Sequence, residues 1–283
     1  MQFDNLAEKC QYYRNLGEHK LMPNGHVIMM LDGRAFSKLI KNKFKKPFDK
    51  RFVNMMDETA KHLCENISGV VFAYVQSDEI SLYIRDDSMS GPFFGMRQSK
   101  LLSVPAAMAA GMFNQLYMCG DIENRIQASD KGSVADAADI LGIMKNHKLA
   151  EFDCKVWNVP NENEVFAWFL WRQIDCVRNS KQQTAQTWLP HKALMGKDTD
   201  EQIKLLKEER GVDWNEFSPN VKYGRIIRKI WREAAIPEKF VKPGGPTTTT
   251  RGFWTSLPMP PLTGPEGKDE ILKLISDADK NLG

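Results

Sequence analysis

The chain has 283 residues, of which 42% are hydrophobic and 27% are charged, and its formal net charge is +3. This composition is typical of a globular protein, and the small net charge neither requires nor opposes a nucleic-acid partner. Five scattered cysteines without a CxxC pair argue against a disulfide framework or a zinc ribbon. No apolar run approaches the length of a membrane span and the N-terminus lacks a signal-peptide pattern, so we expect a cytoplasmic protein without a membrane partner.

The first predicted strand is the apolar run from Val27 to Leu31, which stops at Asp32. A continuous run of this kind is typical of a strand that is buried on both faces. Asp32 therefore follows directly on a core strand. Downstream, the basic run from Lys41 to Lys46 can be read as a solvated loop or as a loop that contacts phosphate.

An amphipathic helix is predicted from Asp49 to Glu65, where apolar residues recur at helical spacing. Two β-rich runs follow, and they flank the polar tetrad from Gln76 to Glu79. This pattern predicts two antiparallel strands with adjacent carboxylates, Asp78 and Glu79, at the tip of their turn. Like charges repel unless a cation or water separates them, so the tip is either a Mg²⁺ site or a solvated acidic turn.

A second long helix is predicted over residues 93 to 118, with Arg97 and Lys100 in its first turns. Cations at a helix N-terminus oppose the macrodipole, so these two side chains are expected to face an anion. Residues 121 to 150 form an insertion, with a helix predicted from Ser133 to Lys148 and no assigned function. A further strand is predicted from Phe152 to Val159.

This order of elements predicts the β-α-β-β-α-β ferredoxin-like plan, an α+β fold with one antiparallel sheet under two helices. The plan makes the first strand a neighbour of the central hairpin, so Asp32, Asp78 and Glu79 are expected to converge. Carboxylates from separate segments suit Mg²⁺, which prefers hard oxygen ligands and leaves positions open for phosphates. The sequence therefore predicts a polymerase-like palm that carries out nucleotidyl transfer.

The remainder is predicted to be helical and then irregular. A helix begins after Asn161 and carries Arg172, Arg178 and Asn179, which could line the cleft. A charged helix, an edge strand near residues 224 to 230 and a tail rich in Pro, Gly and Thr follow. We divide the chain into a palm (residues 1–160), a helical extension that completes the site (161–235) and a C-terminal segment (236–283).

Five sequence blocks, in order, resemble the histidine-tRNA guanylyltransferase family and its bacterial, archaeal and phage-type relatives, the 3′-to-5′ polymerases. They are LDGRAF (31–36), FAYVQSDEIS (72–81), RQSK (97–100), FDCKV (152–156) and WRQIDCVRNS (171–180). The resemblance implies an enzyme that activates a tRNA 5′-monophosphate with ATP or GTP. The 3′-hydroxyl of an incoming nucleoside triphosphate then attacks the activated end.

The resemblance also implies residue roles. Asp32 and Asp78 would ligate two Mg²⁺ ions with help from the Gly33 carbonyl, and Glu79 would complete the catalytic set. The residues assigned to nucleotides are Gly33, Arg34, Ala35, Phe36, Ser77, Arg97, Lys100 and Asn179. Contacts to tRNA are assigned to Lys155, Arg172 and Arg178. The family's homotetrameric assembly is expected here too.

Two departures from the eukaryotic pattern bear on the substrate. The segment from Val177 to Gln183 reads VRNSKQQ in place of HINNLYN, and Lys155 stands where those enzymes have arginine. The RNS form is similar to relatives that repair truncated tRNA 5′ ends by template pairing, so repair is favoured over dedicated guanylate addition to histidine tRNA. A cyclic-dinucleotide cyclase is disfavoured because the glycines of GGDEF-type enzymes are absent, and a non-catalytic RNA-binding protein with a relic palm stays an alternative.

Overall fold

The computed structural model describes residues 3–41, 43–85, 91–128, 137–242 and 244–280. Six strands form one sheet in the order β4-β1-β3-β2-β5-β6, and each neighbouring pair is antiparallel. The strands are β1 (His26–Gly33), β2 (Val70–Gln76), β3 (Glu79–Arg85), β4 (Phe152–Val159), β5 (Arg225–Ala235) and β6 (Thr248–Pro258).

Helices cover both faces of this sheet. They are α1 (Leu6–Asn15), α2 (Phe36–Leu39), α3 (Lys50–Asn66), α4 (Gln98–Ala128), α5 (Ala137–Asn146), α6 (Glu162–Trp188), α7 (His191–Leu194), α8 (Thr199–Arg210), α9 (Pro219–Lys222) and α10 (Pro265–Lys280). The expected helix start at Ser133 lies outside the described residues. Within the part of the chain that the structure describes, no helix combines the length and apolarity needed to cross a bilayer.

The first four strands confirm the predicted α+β palm, since β1 lies between β4 and β3 and the β2–β3 hairpin lies beside it. Asp32 on β1 is paired in register with Glu79 on β3 and with Asp153 on β4. Three carboxylate residues therefore lie at one level of the sheet, next to the hairpin turn that contains Asp78.

Side-chain alternation along the strands produces two cores. Val27, Met29 and Leu31 on β1 pack with α3 and α4, whereas Ile28 packs on the opposite face with α6 and α10. Both faces of β1 are thus buried, as its unbroken apolar run predicts. By the same alternation, Asp32 lies on the face that α6 covers.

The C-terminal segment is not an irregular tail, and the prediction was wrong there. Residues 248–258 form β6, which pairs with β5 over eleven consecutive register positions from Arg225↔Pro258 to Ala235↔Thr248. Consequently β5 is an interior strand and not the predicted edge strand. Thr248, Thr249 and Thr250 are β-branched and favour strand formation, which outweighed the turn-like composition around them.

Helix α10 also belongs to the folded body, because Ile271 and Ile275 are buried in the core on the α6 face. The sheet therefore combines strands from the first and the last parts of the chain. The division into three segments stays a prediction, but the predicted palm segment is not a complete sheet by itself.

Candidate active site

The β2–β3 turn holds the carboxylate of Asp78 in a partly buried position. Ser77, which precedes it, has a positive φ of 44°, which is an uncommon backbone conformation for a residue with a side chain. The backbone N–H of Gly33 donates a 3.1 Å hydrogen bond to the carbonyl of Asp78, so the end of β1 is tied directly to the turn. Burial raises the pKa of Asp78 to about 6.

Asp32 is the second carboxylate at this point of the sheet. Burial and, after it, the charge of Asp153 raise the pKa of Asp32, whereas Lys155 and Arg172 act to lower it. The Asp32 charge also contributes to the raised pKa of Asp78. The predicted convergence of these two carboxylates is therefore found in the structure.

Asp32 and Asp78 suit a divalent cation of the Mg²⁺ type. Their carboxylates are hard oxygen donors, and their raised pKa values show that nearby positive charge does not fully compensate for their burial. In the described ranges, no three His, Cys, Asp or Glu side chains are arranged to hold a metal ion. A cation here would complete its coordination with water, substrate phosphate and backbone oxygen, as Mg²⁺ commonly does.

Glu79 differs from its neighbour Asp78 because an arginine compensates it. Nε and Nη2 of Arg172 donate hydrogen bonds to the Glu79 carboxylate at 2.7 and 2.5 Å, and both side chains are at most 10% exposed. The same Nη2 also donates to Asp175 at 3.0 Å. Burial still raises the pKa of Glu79, against the opposing effect of Arg172.

This ion pair does not fit the predicted contact of Arg172 with tRNA, because the guanidinium is buried and bound to two carboxylates. Arg178 and Lys155 remain 62% and 61% exposed. Arg178 nevertheless donates to Asp175, and Asn179 donates to the same carboxylate at 3.2 Å. Lys155 approaches Asp153 at 4.0 Å.

The turn after β1 brings two predicted nucleotide-binding positions next to the core. A Cβ added at Gly33 would lie 2.4 Å from the ring of Phe36, so only glycine permits this packing. Phe36 is buried against Phe52 and Phe113, which leaves its backbone as the part that could contact a ligand. Ala35 has a positive φ of 56°.

Arg34 occupies the exposed side of the same turn. Its guanidinium lies 2.6 Å from Glu151, and both side chains are largely exposed. Its position next to Gly33 is compatible with the predicted nucleotide contact.

A cavity of about 290 Å³ opens beside the hairpin tip. It brings together two of the predicted nucleotide-binding residues, Ser77 and Asn179, and places them with Lys45 and Lys46. Sequence reasoning did not assign these two lysines, although the basic run before Pro47 was the signal that could have identified them. The remaining walls come from Ile40, from residues between Phe44 and Val53, from Gln76 at the end of β2, from α6, from α9 and from the first residue of β5.

Arg97 and Lys100 are not among the described residues that line this cavity. Arg97 immediately precedes α4 and donates from Nε to the carbonyl of Phe94 at 3.2 Å, and Lys100 is exposed in the first turn of the helix. Their predicted contact with phosphate stays a prediction.

Comparisons with known proteins agree with this geometry. A protein-family model described as tRNAHis guanylyltransferase matches residues 8–160. A tRNA(His) guanylyltransferase of Debaryomyces hansenii is 27% identical over 221 residues, which cover 74% of this chain and 76% of that protein.

Two solved structures are also similar. A bacterial tRNA(His) guanylyltransferase-like protein in complex with ATP has a TM-score of 0.72 and 25% identity, and the match covers 96% of this chain and 99% of that one. The crystal structure of tRNA(His) guanylyltransferase from Saccharomyces cerevisiae has a TM-score of 0.59 at 20% identity, covering 77% and 91% of the two chains, and supports the fold alone.

Proposed function

The chain belongs to the tRNAHis guanylyltransferase family, a family of nucleotidyltransferases, and on that premise we propose that it extends the 5′ end of tRNA in the 3′-to-5′ direction. One observation carries this proposal. Asp32 on β1 and Asp78 in the β2–β3 turn are linked by the backbone hydrogen bond from Gly33 to Asp78, and both have raised pKa values beside a cavity that two lysines line.

We assign the metal site to Asp32, Asp78 and the backbone carbonyl of Gly33, with two Mg²⁺ ions as the expected cofactors. When bound, two such ions stabilise both the attacking and the leaving oxygens and neutralise the charge that develops on the phosphates. Asp32 and Asp78 must be ionised to act as ligands.

The remaining residues bind and orient the substrates. Lys45 and Lys46 would neutralise the triphosphate of ATP, GTP or another nucleoside triphosphate in the cavity, while Ser77 and Asn179 would hydrogen-bond to it. This placement allows the activating nucleotide and the tRNA 5′-phosphate to meet beside the carboxylates.

We propose that Glu79, expected to be catalytic, is instead a positioning residue. Its carboxylate accepts both hydrogen bonds from Arg172, and this pair fixes the strand that begins immediately after Asp78. Exposed Lys155 and Arg178 remain proposed contacts for tRNA, and Arg97 and Lys100 remain proposed contacts for phosphate. A homotetramer is also retained as a proposal.

We favour template-directed repair of truncated tRNA 5′ ends over dedicated guanylate addition, because the segment at 177–183 departs from the eukaryotic HINNLYN pattern. Dedicated addition of one guanylate to histidine tRNA is the second candidate. The two differ in which tRNA is extended.

The test supplies the protein with Mg²⁺, ATP, labelled nucleotides and a 5′-truncated tRNA that carries a 5′-monophosphate. We expect growth at the 5′ end until the truncated strand is restored, and no growth with the Asp78→Ala variant. A parallel reaction with histidine tRNA lacking its extra guanylate separates the two roles. Binding of tRNA by folded protein without any 5′ extension of either substrate would support a non-catalytic RNA-binding protein.

A further inference from the structure

The loop between α2 and α3 carries the two lysines of the cavity and is fixed on both sides of Phe44. Nη2 of Arg51 donates a hydrogen bond to the carbonyl of Lys43 at 3.2 Å. The backbone N–H of Lys45 donates to the carboxylate of Asp49 at 2.8 Å. The start of α3 therefore holds the backbone of this loop, while the side chains of its lysines are exposed.

Phe44 is the side chain that joins this loop to the body of the protein. Its ring centroid lies 5.5 Å from that of Phe52 and 5.8 Å from that of Tyr117. The guanidinium of Arg51 lies over the same ring, 4.9 Å from its centroid. Phe52 and Arg51 belong to α3, the helix that the loop enters, whereas Tyr117 belongs to α4. Of these three contacts, Tyr117 alone ties the loop to a second helix.

His147 packs against Tyr117 and belongs to the insertion for which the sequence indicates no function. The two ring centroids are 4.5 Å apart, and the side chain of His147 is 2% exposed. Its Nδ1 lies 3.6 Å from the carboxylate of Asp121, which is beyond hydrogen-bond distance, and its buried Nε2 has no partner among the described residues. The contact of His147 with Tyr117 is therefore one of ring packing rather than of hydrogen bonding.

We propose that Tyr117 and His147 are positioning residues for phosphate binding, an inference that rests on the nucleotide role of the cavity proposed above. Neither residue is among the described residues that line the cavity, so both act through Phe44. By holding the ring of Phe44, they fix the direction in which Lys45 and Lys46 leave the loop. A binding loop that is already ordered loses less conformational entropy when its ligand binds, which strengthens binding. The insertion thereby raises the affinity for the triphosphate without contacting it.

The first test compares two replacements of His147. His147→Ala removes the ring that packs on Tyr117, whereas His147→Phe retains a ring and loses only the imidazole nitrogens. Calorimetric titrations measure the binding of ATP and of inorganic tripolyphosphate in the presence of Mg²⁺. We expect His147→Ala to weaken the binding of both ligands about tenfold, and His147→Phe to stay within about threefold of the wild type.

The matched control is Ile271→Ala on α10. Ile271 is buried in the core on the opposite face of the sheet and is not among the described residues that line the cavity. We expect this variant to have a lower melting temperature than the wild type and the same affinity for ATP and tripolyphosphate. Melting curves without nucleotide report the stability of every variant.

Tyr117→Leu provides an independent test from α4, and Tyr117→Phe is its conservative partner. We expect the leucine variant to weaken both ligands as His147→Ala does, and the phenylalanine variant to bind them like the wild type. In the 5′-extension assay, His147→Ala and Tyr117→Leu should raise the KM for ATP about tenfold and leave kcat within about threefold. Tyr117→Leu decides the matter if His147→Ala does not fold.

A double variant tests whether His147 acts through the loop. Lys45→Ala should weaken ATP binding, because it removes a cation that would neutralise the triphosphate. Adding His147→Ala to Lys45→Ala should then weaken ATP binding by no more than about a further threefold, since the lysine that is positioned is already absent. A further loss as large as in the wild-type background would overturn the proposal.

Two more results would overturn positioning. A lower melting temperature of His147→Ala with unchanged affinity for ATP and tripolyphosphate would show a purely structural role. Weakening of the same size by Ile271→Ala would show a general effect of destabilisation. Wild-type protein that binds both ligands, with the expected responses of the variants, but never extends tRNA would contradict the proposed function while leaving positioning intact. Wild-type protein that binds neither ligand would contradict both.

Discussion

The hairpin tip and the ion pair behind it contain neighbouring carboxylates whose pKa values are both raised but whose partners differ. Asp78 is partly buried with a pKa raised to about 6, and it faces Asp32, another carboxylate with a raised pKa. Glu79 is also buried but is held by two hydrogen bonds from Arg172. Adjacent acids can thus have different electrostatic partners, which are an arginine for Glu79 and a second carboxylate for Asp78.

Removing the carboxylate of Asp78 should produce the largest effect. With Asp78→Ala we expect the rate of 5′ extension to fall about a thousandfold or more, because a metal ligand that supports the transition state is lost. The measurement is single-turnover extension of a 5′-monophosphorylated truncated tRNA.

The matched control for this change is Asp153→Asn. Asp153 lies opposite Asp32 in register but is exposed and is not an assigned ligand. We expect the control to retain activity within about tenfold. Loss of equal size in both variants would indicate a general effect of negative charge in the cleft rather than a ligand role for Asp78.

Breaking the ion pair between Arg172 and Glu79 should cause a large loss of stability. Arg172→Met leaves the buried Glu79 without its cationic partner, and we expect the free energy of unfolding to fall by about 3 to 5 kcal/mol. The measurement is chemical denaturation. The double variant Glu79→Met/Arg172→Met should recover most of that loss, since no unpaired buried charge remains.

Two other outcomes would contradict the roles that we give to Glu79 and Arg172. If the double variant recovers stability and also keeps full activity, Glu79 and Arg172 do not position the hairpin for catalysis. If Arg172→Met is as stable as the wild type, the ion pair does not compensate Glu79 in the way the geometry indicates.

The pH dependence of stability should reveal the raised pKa of Asp78. The folded-state pKa of Asp78, about 6, lies above its ordinary value of 3.8, so the folded protein binds this proton more tightly than the unfolded chain does. In EDTA, the contribution of Asp78 therefore favours folding at low pH and is lost as pH rises from about 4 to about 6.

Asp78→Asn removes this titration and should stabilise the metal-free protein by up to about 3 kcal/mol at neutral pH. Melting curves in EDTA across this pH range provide the measurement. A wild-type protein and an Asp78→Asn variant with parallel pH profiles would contradict the raised pKa. Asp32 and Glu79, whose pKa values are also raised, should leave a residual slope of the same sign.

The smallest effect is expected at the exposed pair of Arg34 and Glu151. Both side chains are largely exposed, so Glu151→Gln should change the free energy of unfolding by less than about 0.5 kcal/mol. Denaturation in low and high salt is the measurement. A larger loss would mean that this exposed pair supports the turn after β1 nearly as strongly as a buried pair would.

The parts of the fold that depend on local patterns were predictable. The apolar run at Val27–Leu31 and the two runs around Gln76–Glu79 have the length and β-rich composition of strands. Their order restricted the topology to one familiar plan, and that plan by itself brings Asp32 and Asp78 together.

Features that depend on distant residues were not predictable in this way. Arg225 and Asp57 are 168 residues apart, and no local pattern shows that they form a pair. Arg172 and Glu79 are 93 residues apart, so the sequence alone could not show that Arg172 is buried in an ion pair with Glu79. The C-terminal strand was missed because composition around its threonines resembles a loop, and only pairing with β5 stabilises it.

The position of β2 has a consequence for how the chain is made. Synthesis proceeds from the N-terminus, so β2 has β3 as its sole sheet neighbour until residues 225–228 emerge and pair with residues 72–75. During that interval the apolar strand Val70–Gln76 offers an unpaired backbone edge that another nascent chain could join. Ribosomal pausing between β4 and β5 would lengthen this exposure, and the yield of soluble enzyme should therefore depend on how quickly that stretch is translated.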